Sequence, residues 1–327
     1  MSDLDQMANK LQPIIIGGKF QLCVNEFFPC NWCSIFNTKK FFELHKTEGS
    51  YYFQLCVGSP PEVSGVVHFT SVAAGHFRSP RRGTFGSFEF RETLRMEVFE
   101  EFVNEVERIL MANGGHTIEI LEPPAILDLS RAAVLYNILT RKGYLVQHPE
   151  LDFALVVDNT KFPEKVEYNI RKRINKCTRE GLVARQIDAS FCRQAYEVIA
   201  QNRAAKGFPM TMTCEEILKM LEVFPERMVF FGAFAGDKLI ASSICIKVSR
   251  SMLYVFYWGD LPGYEKLSPV TLLAESIYNY AQGNNFSLMD VGTSTEEGLP
   301  IYGLINFKRE LGCMESLKLS FIKNIPG

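Results

Sequence analysis

No apolar run among the 327 residues approaches the roughly 20 needed to cross a bilayer. Neither charge predominates: 35 Lys and Arg stand against 37 Asp and Glu, a formal net charge of −2. That balance removes any global attraction to nucleic acid or an anionic membrane and leaves a local basic patch as the route to such a partner. Met1 to Lys10 has no basic flank, apolar stretch or cleavage site of a secretory signal, so a cytoplasmic location is expected. Histidine is scarce. His45, His68, His76, His116 and His148 show no metal-ligand spacing, and no metal or permanently bound cofactor is expected.

The nine cysteines are odd in number and scattered, with Cys56, Cys245 and Cys313 among apolar neighbours. That pattern excludes a disulfide framework and fits reduced, mostly buried thiols. The spacing of note is Cys30-Asn31-Trp32-Cys33, with Cys23 nearby. Such a pair is a redox dithiol or half a zinc site. With no second pair and no matching histidines, the expectation is two unlinked thiols at a helix entry.

What is present is an ordinary globular composition, 47% apolar and 22% charged, at a length suited to two domains of about 150 residues. One punctuated pattern occurs twice, about 170 positions apart. A helix from Glu97 leads to Gly114-Gly115 and a strand from His116, then a loop, a second helix, Gly143 and a strand from Tyr144. A helix from Ser268 leads to Gly283 and a strand from Phe286, then a loop, a short helix, Gly312 and a strand from Met314. Matching separations at several landmarks indicate two domains of similar topology, not a solenoid. The expected domains are 1–158 and 159–327, with Leu155 to Asp158 closing the first as a strand.

Helices are expected over 37–46, 97–111, 161–181, 191–206 and 214–224. Strands are expected over 19–25, 51–57, 65–71, 228–234, 239–248 and 252–258. Ser268-Pro269 reads as an N-cap followed by a first-turn proline. A capped helix start facing a sheet is a place where anions bind, because first-turn N–H groups lack partners. Tyr264, Leu267, Ser268 and Pro269 would line it, although most capped helices bind nothing. Arg171 and Lys172 belong to a basic run between Lys161 and Arg179 that is either a solvated helix face or the basic wall of a cleft holding a phosphate-bearing ligand. Arg78 and Arg82, with Arg81, flank a Ser-Pro turn and glycines 83 and 86, which suits phosphate or carboxylate recognition as well as plain solvation. Arg203 and Lys206 either complete a basic pocket or complement the C-terminal end of their helix.

The order of the second half is two helices, three antiparallel strands, a helix, a strand, a short helix and a final strand. It resembles the GNAT acyltransferase fold, and the chain is similar to tandem Fem-type and related acetyltransferase-like proteins. The local matches are Ile170-Arg171-Lys172, Lys176, Gly181-Leu182, Tyr254, Tyr257, Leu267-Ser268-Pro269, Leu272-Leu273, Asp290-Val291-Gly292, Gly303-Leu304, Phe307-Lys308 and Leu311-Gly312. The resemblance implies an α/β (α+β) chain of two tandem GNAT-like domains, each a mixed, mostly antiparallel sheet flanked by helices, the first degenerate. It also implies direct attack of an amine on an acyl or aminoacyl group, with acyl-CoA as a co-substrate. Rival readings are an aminoacyl-tRNA-dependent Fem-type transferase and a non-catalytic binding protein of the same fold.

Within that resemblance Asp290 is the candidate general base or amine anchor, or a cap on the turn after it. Tyr302 is a proton donor to the leaving group or a packing lid. Lys308 would neutralise a donor phosphate or an acidic substrate, and Tyr257 would contact substrate. The stretch 263–269 departs from the family's acetyl-CoA signature: it has no second glycine and places a proline at the helix start, so the close backbone approach that glycine permits is missing.

Overall fold

The computed structural model of the chain describes residues 13–325. It divides into two compact units. The first holds residues up to 122, 133–145 and those from 321 onward; the second holds 123–132 and 146–320.

In chain order the first half supplies β1 (Ile14–Ile16), β2 (Phe20–Val24), α1 (Lys39–His45), β3 (Ser50–Val57), β4 (Glu62–Ala73), β5 (His76–Ser79) and β6 (Glu89–Phe90). These are followed by α2 (Met96–Ala112), β7 (Thr117–Leu121), α3 (Leu129–Arg141) and β8 (Leu145–Val146). The first half ends with β9 (Glu150–Val156), and the second half supplies α4 (Phe162–Lys165), α5 (Tyr168–Arg179), β10 (Leu182–Ile187), α6 (Cys192–Ala205) and α7 (Cys214–Val223). Next come β11 (Met228–Ala235), β12 (Lys238–Lys247), β13 (Met252–Asp260), α8 (Val270–Gly283), β14 (Leu288–Thr293), β15 (Thr295–Glu296) and β16 (Leu299–Pro300). The chain closes with α9 (Tyr302–Glu310), β17 (Met314–Lys318) and β18 (Ser320–Asn324).

The first sheet runs β1-β2-β3-β4-β5-β7-β18-β8, with β6 added to β4, and the second runs β10-β11-β12-β13-β14-β9-β17. Each has one parallel rung, β5 with β7 and β13 with β14, and each of these pairs is joined by a helix, α2 or α8. The repeated pattern is thus a repeated topology. Each sheet also takes one strand from the other half of the chain: β9 lies between β14 and β17, and β18 between β7 and β8. The strand expected to close the first half is therefore in the second sheet.

Helix α2 is amphipathic and buries Val98, Phe99, Phe102, Val103, Val106 and Leu110. Phe102 lies so close to β4 that a Cβ on Gly65 would come within 3.1 Å of its ring, which is why that position carries no side chain. In the second unit α5 and α8 cover one face of the sheet. Ile170, Ile174 and Cys177 pack with Leu273, Ile277 and Tyr278 over Phe231, Leu253, Val255 and Met289. On the other face α6 is tied down by Ser242, whose Oγ donates to the Ala195 carbonyl at 2.7 Å. The helix expected over 161–181 is broken at Val166 and Glu167, where the backbone is extended on both residues. Gly181 follows α5 with φ +75°, the left-handed geometry of a helix-ending glycine.

Candidate functional site

The second sheet opens between β13 and β14. The two strands pair only through Met252–Leu288, Leu253–Met289 and Tyr254–Asp290, and beyond that rung β13 continues to Asp260 without β14. At the same level the register between β12 and β13 slips, pairing Ile244 with Tyr257 and Cys245 with Val255. Phe256 is the extra residue of that bulge, with no partner of its own on β12. A strand that parts from one neighbour while bulging from the other makes a wedge lined by backbone.

Asp290 occupies the last shared rung and is 1% exposed. Its neighbours Met289 and Val291 enter the core, so strand alternation puts its carboxyl on the opposite face. Oδ1 accepts the Gly292 N–H at 2.6 Å, a turn made possible by the left-handed φ of +76° at Gly292. The carboxyl is hydrogen-bonded to that of Asp152 on β9, itself 1% exposed. Burial, and then the neighbouring Asp152 charge, push Asp290 well above the usual carboxylate range; burial pushes Asp152 up as well. Two buried carboxyls in contact cannot both ionise, so the pair holds one proton. Asp290 therefore fills the turn-capping role, accepting the Gly292 N–H.

Lys308 is also interior, at 1% exposure. From α9 its Nζ donates to the carbonyls of Gly292 at 2.7 Å and Thr293 at 2.8 Å, in the stretch where β9 and β14 lose register. It lies 5.4 Å from the centre of the Phe153 ring, and burial pushes its ammonium down to about 8. The half-buried Lys318 on β17 is also pushed down by burial, with Asp152 opposing. The ammonium of Lys308 is spent on main-chain carbonyls and does not face a phosphate, which corrects the role expected for it. Tyr302, at the start of α9, is 71% exposed, with its side chain in solvent.

The stretch 264–269 does not present the expected anion cradle. The N–H groups of Leu267 and Ser268 both donate to the Tyr264 carbonyl, at 2.9 and 3.0 Å. Pro269 has no N–H, and those of Thr271 and Leu272 turn back to the carbonyls of Ser268 and Pro269. Pro269, not Ser268, is the N-cap; Ser268 has φ +55° and its side chain caps nothing. Tyr264, Leu267 and Trp258 pack on the core, and Trp258 meets Phe307 of α9 with ring centres 6.2 Å apart.

Three of the expected substrate residues converge near the far end of β13. The Tyr257 hydroxyl is hydrogen-bonded to Thr211, and the Arg203 guanidinium lies 5.7 Å from the Tyr257 ring centre. Lys206 donates to Asn202 at 3.2 Å, and Asn202 donates to the Asp260 carboxylate at 2.7 Å. Burial raises Asp260, and Lys206 opposes the shift. Arg171 and Lys172 lie elsewhere. Arg171 is spent on the carbonyls of Pro163 and Val166, ending α4, whereas Lys172 is exposed. With Tyr168, Asn175, Thr178 and Arg179 they line an open groove of about 650 Å³ along α5. Arg78 and Arg82 belong to the first unit: Arg78 pairs with Glu119 at 3.4 Å, and Arg82 is exposed.

Sequence reasoning missed Asp152, Lys318, Phe256 and Asp260. The available signal was an aspartate inside the apolar run Leu151 to Val157, a burial that needs a partner. Among the described residues no group of three or more His, Cys, Asp or Glu side chains could hold a metal ion, and no helix is long and apolar enough to cross a membrane.

Residues 164–309 match the family model Acetyltransf_6, described as Acetyltransferase (GNAT) domain. No curated protein matches the chain by sequence. Among solved structures, FemX is similar at 13% identity and a TM-score of 0.67 over 89% of this chain and 92% of that one. The C-terminal domain of a putative lysylphosphatidylglycerol synthetase from Agrobacterium fabrum has 10% identity and a TM-score of 0.57, over 80% and 81%. A tandem GNAT protein from the clavulanic acid biosynthesis pathway has 10% identity and a TM-score of 0.51, over 91% and 89%. The fold is a tandem GNAT-like fold of the FemX type.

Proposed function

We propose that the second unit transfers an aminoacyl or acyl group onto an amine in the wedge between β13 and β14. The observation that carries this reading is the end of pairing at Tyr254 and Asp290 with Phe256 bulged beside it. A wedge lined by main chain can hold a flat ester or thioester carbonyl and offer a backbone N–H to the oxyanion that forms on attack. The amine nitrogen attacks the carbonyl carbon, the bond to the donor oxygen or sulfur breaks, and the amine proton leaves with that atom. Asp290, Asp152 and Lys308 act here as positioning residues, since they hold the end of β14 where it leaves β13.

The donor this geometry favours is an aminoacyl ester on the end of a tRNA. A CoA pyrophosphate would meet few unspent N–H groups at the start of α8. The α5 face instead offers a groove with Lys172 and Arg179 for a phosphodiester chain. The second reading, acyl-CoA as donor, draws on the match of 164–309 to an acetyltransferase domain.

One experiment separates the two readings: melting of the protein with charged tRNA and with a panel of acyl-CoAs, followed by an amine-transfer assay. A ligand at a hundredfold excess over Kd adds about 2.7 kcal/mol to stability. Stabilisation by charged tRNA that weakens in Lys172→Glu/Arg179→Glu supports the first reading. A shift with acyl-CoA alone supports the second. No shift and no transfer with either donor would leave a non-catalytic binding protein.

A further inference from the structure

The sequence singled out Cys30 and Cys33, and the structure brings them together. Both pack in one cluster with Phe27, Trp32, Phe42 and Tyr52. The Cys33 Sγ lies 3.6 Å from the Cys30 carbonyl and 3.8 Å from the Asn37 carbonyl, either of which can accept its one S–H. Cys33 is held rigidly because the next residue, Ser34, hangs on Glu89: its N–H and Oγ donate to that carboxylate at 2.9 and 2.5 Å. Cys33 is buried, whereas Cys30 is partly open.

Cys30 opens into a cavity of about 300 Å³ lined by Phe27, Phe28, Pro29, Tyr52, Lys39 and Lys40. Interaction with the Cys33 thiol, helped by the main-chain N–H groups of Cys33 and Trp32 and opposed by burial, holds the Cys30 thiol below its ordinary range. The two thiols therefore differ in kind: Cys30 is accessible and held toward the anion, and Cys33 is buried beside it with its thiol pushed up. Lys39 is paired with Glu43 at 2.6 Å, and the exposed Lys40 gives the cavity its attraction for carboxylates.

We propose that Cys30 is a thiol–disulfide exchange site for small disulfides that carry carboxylates, with Cys33 as its resolving thiol. The Cys30 thiolate attacks one sulfur of the small disulfide, whose S–S bond breaks and releases one thiolate that takes up a proton. Cys33 gives up its proton and attacks the Cys30 sulfur of the mixed disulfide, which releases the second small thiol. The net change oxidises two protein thiols to one disulfide and reduces one small disulfide to two thiols.

The test uses the full chain, reduced and then exposed to oxidised glutathione, with peptides mapped by mass spectrometry. The wild type forms the Cys30–Cys33 disulfide. Cys33→Ser accumulates a glutathione adduct on Cys30, and Cys30→Ser leaves Cys33 unmodified. On the wild-type protein alone, so that no variant need fold, iodoacetamide at neutral pH alkylates Cys30 about tenfold faster than the partly exposed Cys214, whose thiol is pushed up by burial. Equal rates at the two cysteines, or no adduct on Cys30 in a folded Cys33→Ser protein, would overturn the proposal.

Discussion

Asp152 and Asp290 meet carboxyl to carboxyl from adjacent strands, and the Oδ2 of each has no hydrogen-bond partner apart from the other. One shared proton satisfies both oxygens. Asp290→Asn should therefore keep the fold, because its amide donates to Asp152 as the protonated carboxyl does. Asp290→Ala strands the Gly292 N–H and the Asp152 oxygen and should cost about 1–3 kcal/mol. Urea denaturation of both variants checks this; equal losses in the two would contradict the shared proton.

Lys308 couples the same region to pH. Its folded value is about 8, against an ordinary 10.5. Between those values the unfolded chain binds the proton that the folded chain has released, so this lysine makes stability rise with pH across that window. Lys308→Met should abolish the rise. It should also cost about 3 kcal/mol near pH 7, because two carbonyls and the carboxyl pair lose their cation. Melts from pH 7 to 10.5 read both effects.

His68 acts at the acid end and in the first unit. Burial pushes it down to about 4 from 6.5, while its Nε2 donates to the Phe36 carbonyl at 2.8 Å. Its contribution is complete above pH 6.5 and is lost as pH falls toward 4, where the unfolded chain takes the proton first. The loss amounts to about 3 kcal/mol. His68→Gln keeps a donor and should flatten acid unfolding in that range; an unchanged acid limb would assign it to other groups.

Two helix starts that look alike in sequence should respond differently. Thr213 closes a capping box with Glu216, accepting from its N–H while the Glu216 carboxylate accepts from the Thr213 N–H at 2.8 Å. Thr213→Ala should cost about 1 kcal/mol. Ser268→Ala should change stability by less than about 0.5 kcal/mol, since that side chain caps nothing and alanine is no worse at its φ. Denaturation midpoints of the pair decide the matter.

Much of the second unit was legible because its signals are local. The runs that became β11, β12 and β13 alternate or stay apolar over strand lengths, and Gly181 sits where a helix must stop. Asp290 stood out as a carboxylate ending an apolar run, and Arg203, Lys206 and Tyr257 do fall in one neighbourhood. Illegible were the properties that depend on who the neighbour is. Lys308 reads as a surface cation until the carbonyls of Gly292 and Thr293 close on it. Ser268-Pro269 reads as a cap until the backbone at Ser268 turns left-handed and Tyr264 takes the free N–H groups.

The amino-acid order settled the repeat: helix, strand, helix and strand recur about 170 residues apart, and each copy builds a sheet with one parallel rung. It left open which copy keeps which strand. Helices report themselves through contacts three and four residues apart, and strands through alternation, but a strand's place in a sheet is decided by main-chain hydrogen bonds to residues far away in sequence. Strands β9 and β18 fill equivalent slots, each in the sheet of the other half. That exchange, set only by tertiary pairing, is what brings Asp152 to Asp290.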